Sequence, residues 1–199
     1  MLILKNSCFI HVPKTGGNWV RHALEAAQVE FEYYAVNDNA HLGHRDCPHP
    51  GRFKFAFVRH PLGLYRSFWQ YKMTYGWDEA SALDRACRAD YFQEFIVNIT
   101  TRYPGAYGNM LDDLIGTEQA SIDFVGRYEN LQEDLVRALT LAGESFDEAR
   151  LRAVPAVNVS DKVRFPADYS PELIERVFAS EQGVFRRFGY RAEERWSAT

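Results

Sequence analysis

The chain predicts an α/β fold, a mostly parallel sheet flanked by helices in a single domain spanning residues 1–199. Three observations lead there. Ser7-Cys8-Phe9-Ile10-His11-Val12 and Phe53-Lys54-Phe55-Ala56-Phe57-Val58 are short apolar runs of the kind that form buried strands. Each is followed by apolar residues at helical spacing: Val20, Ala23, Leu24 and Ala27 after the first, Leu64, Phe68, Tyr71 and Tyr75 after the second. No repeat, low-complexity tract or linker interrupts the 199 residues. Strands that alternate with helices pair in parallel with both faces covered, and such sheets bind ligands at the carboxyl ends of their strands.

The elements are expected in this order. Met1–Asn6 leads directly into a strand over 7–12, and a helix covers 18–28. Residues 31–36 form a further strand, and 37–52, rich in Asn, Asp, His, Gly and Pro, form a long loop of the kind that often carries function. The strand at 53–58 precedes a helix opened by Pro61. Residues 79–99 are helical with a break near Arg88–Asp90, and 100–118 form a loop with one short helix. A strand covers 121–128. Asn130 caps the next helix with Glu133 at the capping-box position, its buried face being Leu131, Leu135, Leu139 and Ala142. A polar loop at 155–169 ends at Ser170-Pro171-Glu172, a helix start whose buried side is Ile174, Val177, Phe178 and Phe185.

Composition narrows the function. A net charge of −4 argues against general nucleic-acid binding, while leaving room for a local basic pocket. No apolar run approaches the ~20 residues of a membrane helix, and Met1–Asn6 is too short for a signal peptide, so a cytoplasmic protein is expected. Cys8, Cys47 and Cys87 are few and odd in number and suit a reducing compartment better than a disulfide framework. Asn98-Ile99-Thr100 and Asn158-Val159-Ser160 match the glycosylation pattern without a secretory context.

The chemistry concentrates in two motifs. His11-Val12-Pro13-Lys14-Thr15-Gly16-Gly17-Asn18-Trp19 reads as strand, glycine turn and helix start, which aims backbone N–H groups and a lysine at an anion. It departs from the Walker pattern because Lys14 precedes the glycines. Val58-Arg59-His60-Pro61 puts an arginine at the end of the next strand, and Ser67 places a hydroxyl on the following helix. ATP and GTP hydrolases keep a metal-holding aspartate in that region; Arg59 instead supplies fixed charge and a forked donor set. Singly, Arg59 also suits a structural ion pair and Ser67 a back-bonding serine.

These motifs resemble the sulfotransferases that use 3′-phosphoadenosine 5′-phosphosulfate (PAPS), with the carbohydrate-type branch nearest. His11–Gly17 is similar to that family's 5′-phosphosulfate loop and Phe57–Pro61 with Ser67 to its 3′-phosphate site. Asn98–Tyr103, Gly126–Leu131, Val157–Ser160 and Phe188-Gly189-Tyr190 extend the similarity from about residue 8 to residue 190. Asn18 stands where threonine or serine is usual, His60 replaces the commoner Asp or Asn, and Gly63-Leu64-Tyr65 is atypical. The resemblance implies a P-loop-like core and a sulfuryl transfer from PAPS to a hydroxyl on a small molecule or glycan, with no metal. Lys14 would be catalytic. Lys14, Thr15, Gly16, Gly17, Asn18, Trp19, Arg59, Ser67, Tyr128 and Lys162 would line the nucleotide, with Trp19 and Tyr128 equally suited to packing and Lys162 and Arg164 the candidates for a third phosphate loop. The resemblance also places an acceptor base near residues 41–49. A histidine neutral near pH 7 suits that task; His41 comes first and His44 second, although a surface histidine reads equally simply. His41, His44, Cys47 and His49 are conceivable metal ligands, but their spacing matches no standard zinc pattern. The acceptor is expected among residues 37–52, 76–90 and 100–118. Two other readings remain: a P-loop nucleotide kinase, and a non-catalytic nucleotide-binding protein of the same fold.

Overall fold

A computed structural model of the chain describes residues 1–36, 41–117, 121–155 and 165–192. The chain forms two compact units, Met1–Arg59 with Leu111–Asn158 and His60–Met110 with Val159–Thr199. The architecture is α/β, a five-stranded mixed sheet flanked by helices.

The sheet lies in the first unit. It comprises β1 (Leu2–Leu4), β2 (Ser7–Ile10), β3 (Phe31–Tyr33), β4 (Phe53–Val58) and β5 (Phe124–Arg127), in the order β3-β1-β2-β4-β5. The pairs β2–β4 and β4–β5 are parallel, with Phe9 opposite Phe55 and Phe57 opposite Gly126. β1 runs antiparallel to both β2 and β3. The expectation of a mostly parallel sheet is therefore corrected to a half-parallel one. Its cause is Lys5-Asn6: two residues close a hairpin, whereas a parallel crossover needs a dozen or more. Leu2-Ile3-Leu4 is thus a strand in its own right. Strands β3 and β5 are shorter than the segments 31–36 and 121–128.

The alternation of side chains explains why these strands read as unbroken apolar runs. Phe9, Phe55 and Phe57 face one side and join Trp19, Val20, Leu24, Leu135, Leu139 and Leu151 in a single cluster. Those partners come from α1 (Gly17–Ala26), α6 (Leu131–Leu141) and α7 (Glu148–Arg152). Cys8, Ile10, Ala56 and Val58 face the other side and are equally buried, so both faces of the sheet are covered. Asn130 does not cap α6 with its side chain. Tyr128–Asn130 forms a 3₁₀ turn that runs into the helix, and Asp134 accepts from the Arg127 N–H at 2.7 Å.

The second unit is helical. It contains α2 (Pro61–Tyr75), α3 (Ala82–Cys87), α4 (Phe92–Arg102), the start of α5 (Ala106–Ile115), α8 (Pro171–Ser180) and α9 (Gln182–Phe188). α4 packs against α2, α3 and α8. The break expected near Arg88–Asp90 separates α3 from α4. Residues 100–118 hold more helix than expected, because Tyr107, Leu111, Leu114 and Ile115 supply a buried face that Pro104 and the glycines obscure in the sequence. Leu173 and Val177 face inward on α8, while Phe178 is 38% exposed, contrary to its expected burial. His60 caps α2: its Nδ1 accepts from the Leu62 N–H at 3.3 Å and its Nε2 donates to the Arg191 carbonyl at 2.9 Å. An imidazole acceptor here does the work that Asp or Asn does at other helix N-termini.

The unit's polar centre is Glu181, which is 1% exposed. Its carboxylate accepts from the Tyr65 hydroxyl at 2.5 Å, the Tyr107 N–H at 3.3 Å and the Gly108 N–H at 3.0 Å. Glu181→Ala strips three buried donors of their acceptor and should cost about 3–5 kcal/mol in urea-denaturation experiments. Burial raises the Glu181 pKa above its ordinary value, against the opposing pull of those hydrogen bonds. The folded state therefore holds this proton more tightly than the unfolded chain. That contribution is complete below the unfolded pKa and is lost as pH rises through the raised one. Glu181→Gln cannot ionise, so stability plotted against pH above 4.5 should decline less steeply for it than for the native chain, whatever the offset between the two curves.

Candidate anion-binding site

Strands β2, β4 and β5 are parallel, so their carboxyl ends, at Ile10, Val58 and Arg127, share one edge of the sheet. Residues 11–16 cross that edge and deliver the chain into α1. Three local features shape the crossing. The buried Thr15 hydroxyl donates to the Val12 carbonyl at 2.8 Å and closes the turn. Lys14 has a φ of 65° and Gly16 a φ of 91°, two left-handed residues flanking Thr15. The first bond of α1 runs from the Val20 N–H to the Gly16 carbonyl at 3.0 Å. The N–H groups of Gly17, Asn18 and Trp19 therefore precede the helix's own bonding and mark its positive end. Asn18 is exposed there. Trp19 is 8% exposed and its side chain belongs to the core cluster, while its N–H lies at the helix start.

Arg59 follows β4 and reaches the same loop. Its Nη1 donates to the Lys14 carbonyl at 3.1 Å, and its guanidinium carbon stands 3.9 Å above the Tyr128 ring centre. Arg59 is 9% exposed, so this charge is held in one orientation. Tyr128 also borders the loop: a Cβ on Gly16 would lie 3.2 Å from its ring and 2.5 Å from Leu131 Cδ2. Lys14, Gly16, Arg59 and Tyr128 are thereby assembled by the ends of β2, β4 and β5. The left-handed turn needs glycine at residue 16; it also holds Lys14 in a conformation that costs a non-glycine residue free energy of order 1–3 kcal/mol.

Two histidines extend the site. The His11 ring lies so near Gly17 that a Cβ there would stand 2.0 Å from Nε2. His41 sits on the outer side of His11, with ring centres 4.8 Å apart and its Nδ1 3.2 Å from the His11 carbonyl. His41 is exposed. His44 turns away, its Nδ1 3.4 Å from the Leu114 carbonyl. Of the two histidines expected as acceptor base, His41 lies beside His11 at the start of the 11–16 crossing and His44 against the Leu114 carbonyl.

Burial, then the charges of His41, the N-terminus and Lys14, push the His11 pKa down from 6.5 to about 3. His11 is accordingly neutral at physiological pH. Its folded-state pKa lies below the unfolded one, so its contribution is present above pH 6.5 and is lost as pH falls towards 3. The full effect amounts to about 5 kcal/mol at most. His11→Phe has no proton to gain there, and its stability should fall less than that of the native chain between those pH values, as read by denaturant midpoints.

Ser67 belongs to α2 in the second unit and is 8% exposed. Lys162, Arg164 and the 157–160 stretch lie outside the described residues. The possible metal ligands diverge: His41 goes to His11, His44 to Leu114 and Cys47 to Cys8. Among the described residues no group of three His, Cys, Asp or Glu side chains is placed to hold a metal ion. No helix among them is long and apolar enough to cross a membrane.

No known family model matches this chain, and no curated protein does. Function must therefore be argued from the site. The sequence motif places His11 at the strand's end, one step before the loop, but does not show that its ring packs beside Gly17 and His41. Nor does it show the left-handed backbone of Lys14, for which a lysine gives no signal at all.

Proposed function

We propose that this chain moves a sulfuryl group from PAPS to a hydroxyl acceptor, with a carbohydrate the favoured acceptor class. The observation that supports this most is the tie between Arg59 and Lys14: a fixed cation on one strand end grips the carbonyl of the lysine that opens the neighbouring helix N-terminus. Three helix-start N–H groups, an ammonium and a guanidinium on one sheet edge form a donor set for a ligand with several anionic oxygens. The crowded spaces beside Gly16 and Gly17 leave the backbone itself as the ligand's near wall. PAPS, when bound, supplies an activated sulfuryl group on an adenylate leaving group.

In this reading the N–H groups of Gly17, Asn18 and Trp19 hold the 5′-phosphate. The Lys14 ammonium balances the negative charge that grows on the departing phosphate oxygen. Arg59, stacked on Tyr128, supplies the cation for the 3′-phosphate that separates this nucleotide from ADP and ATP. His41 takes the acceptor hydroxyl's proton; its exposure allows entry, and its contact with His11 keeps its ring beside the loop. Thr15 holds the turn closed, since its hydroxyl proton is committed to Val12.

Calorimetry without added metal tests the reading. Adenosine 3′,5′-bisphosphate should bind at least tenfold more tightly than ADP or ATP, and Arg59→Ala should erase that preference. Equal affinity for the three nucleotides would overturn the assignment. Transfer of label from ³⁵S-PAPS to a panel of sugars and phenols would then identify the acceptor.

A further inference from the structure

We propose that Cys8 and Cys47 are a redox-active dithiol that closes to an intrachain disulfide, clamping the loop of His41 to strand β2. The two residues are 39 positions apart, yet their sulfurs lie 2.8 Å from each other. A formed S–S bond measures ~2.05 Å, so a small approach completes it. Both residues are free thiols, Cys8 fully buried in β2 and Cys47 at 7% exposure just after the 3₁₀ turn His44–Asp46. Three residues beyond Cys8 is His11, and the chain returns to Cys47 six residues beyond His41. A bond at this point would therefore join the segments that carry the two adjacent imidazoles.

The two sulfurs are unequal, which sets the order of events. Burial, then the neighbouring Cys47 sulfur, raises the Cys8 thiol to about 12, although Arg52 and Lys54 pull the other way. Cys47 keeps the residual exposure and is the sulfur that meets an oxidant. With a hydroperoxide, the Cys47 sulfur attacks the peroxide oxygen and the O–O bond breaks. The outer oxygen leaves as water or an alcohol, and Cys47 becomes a sulfenic acid. The Cys8 sulfur then attacks the Cys47 sulfur. The S–S bond forms, the S–O bond breaks, and the hydroxyl departs with the Cys8 proton as water. Two thiols lose two protons and two electrons, and one hydroperoxide is reduced. Cys87 lies in the other unit, buried, and takes no part.

This proposal revises the reading of the cysteines as merely those of a reducing compartment, and it stands whether or not the chain handles PAPS. Trypsin places each cysteine on its own peptide: Asn6–Lys14, Asp46–Arg52 and Ala86–Arg88. The native chain is treated with dilute hydrogen peroxide, alkylated, digested and examined by mass spectrometry. The expected product is Asn6–Lys14 linked to Asp46–Arg52, lighter by two hydrogens than the pair, with Cys87 alkylated and the link reversed by dithiothreitol. The oxidised chain should also unfold roughly 4–10 °C higher than the reduced one, a shift that Cys47→Ser abolishes and Cys87→Ser retains. Three alkylated thiols after peroxide treatment, a link that involves Cys87, or a link only between two chains would each overturn the proposal.

Discussion

Lys14→Gly should cut turnover with PAPS by about 10²–10³-fold while leaving the fold at least as stable as the native one. The loss follows from removing the ammonium that meets charge developing on the leaving oxygen. The stability follows from the backbone: Lys14 occupies a φ of 65°, which glycine adopts without the steric cost a lysine bears. Lys14→Ala should lose as much turnover without that relief. Both variants should retain most of their affinity for adenosine 3′,5′-bisphosphate. Arg59→Ala should do the reverse, losing affinity more than turnover. Because Arg59 also grips the Lys14 carbonyl and stacks on Tyr128, Arg59→Lys is the sharper probe: it keeps the charge and loses the fork. Steady-state rates with calorimetry on all four proteins would check this, and parallel loss of both constants in every variant would count against the assigned roles.

Gly17→Ala should destabilise the first unit markedly. Its Cβ would stand 2.0 Å from His11 Nε2, and His11 is held by stacking on Phe9 with ring centres 5.8 Å apart. Either the ring leaves its place beside His41 or the helix start shifts. Overpacking of this kind costs about 1–3 kcal/mol. Adding His11→Ala to Gly17→Ala should return part of that loss, giving a coupling of about 1–2 kcal/mol in a double-mutant cycle read by urea unfolding. Strict additivity would show that the clash relaxes elsewhere. Nucleotide affinity should fall in Gly17→Ala and recover in the double variant, since the helix start regains its position.

The particular residues show why some of this could be read from the sequence. Residues 53–58 declare a strand because both faces are buried and no polar residue interrupts them beyond Lys54. Pro61 and Ser170 declare helix starts because one presets the backbone and the other supplies a cap; the Ser170 hydroxyl accepts from the Leu173 N–H at 3.3 Å. Three-residue β1 lacks the length to show a period, and α5 is concealed by Pro104, Gly105 and Gly108. Asn130 looks like a cap by type, but a 3₁₀ turn decides the geometry there. At the site, the order lysine, threonine, glycine, glycine and the arginine after β4 are local patterns, hence legible. The separation of His41 from His44 is not local. It is decided by His11 on one side and the Leu114 carbonyl on the other, residues 30 and 70 positions away.

The path of the chain through the sheet sets an order of assembly. β1 and β2 pair across a two-residue turn, and β3 and β4 join them from nearby in sequence. β5 must wait until the segment from Val58 to Phe124 has been gathered, a loop whose closure entropy far exceeds that of the hairpin. Tyr128 comes with β5, so the aromatic floor beneath Arg59 arrives late in folding. A nascent chain halted before residue 124 would hold the glycine turn and its arginine but not the ring that orients the cation. Completion of the Arg59–Tyr128 pair is thus coupled to the late closure of the sheet.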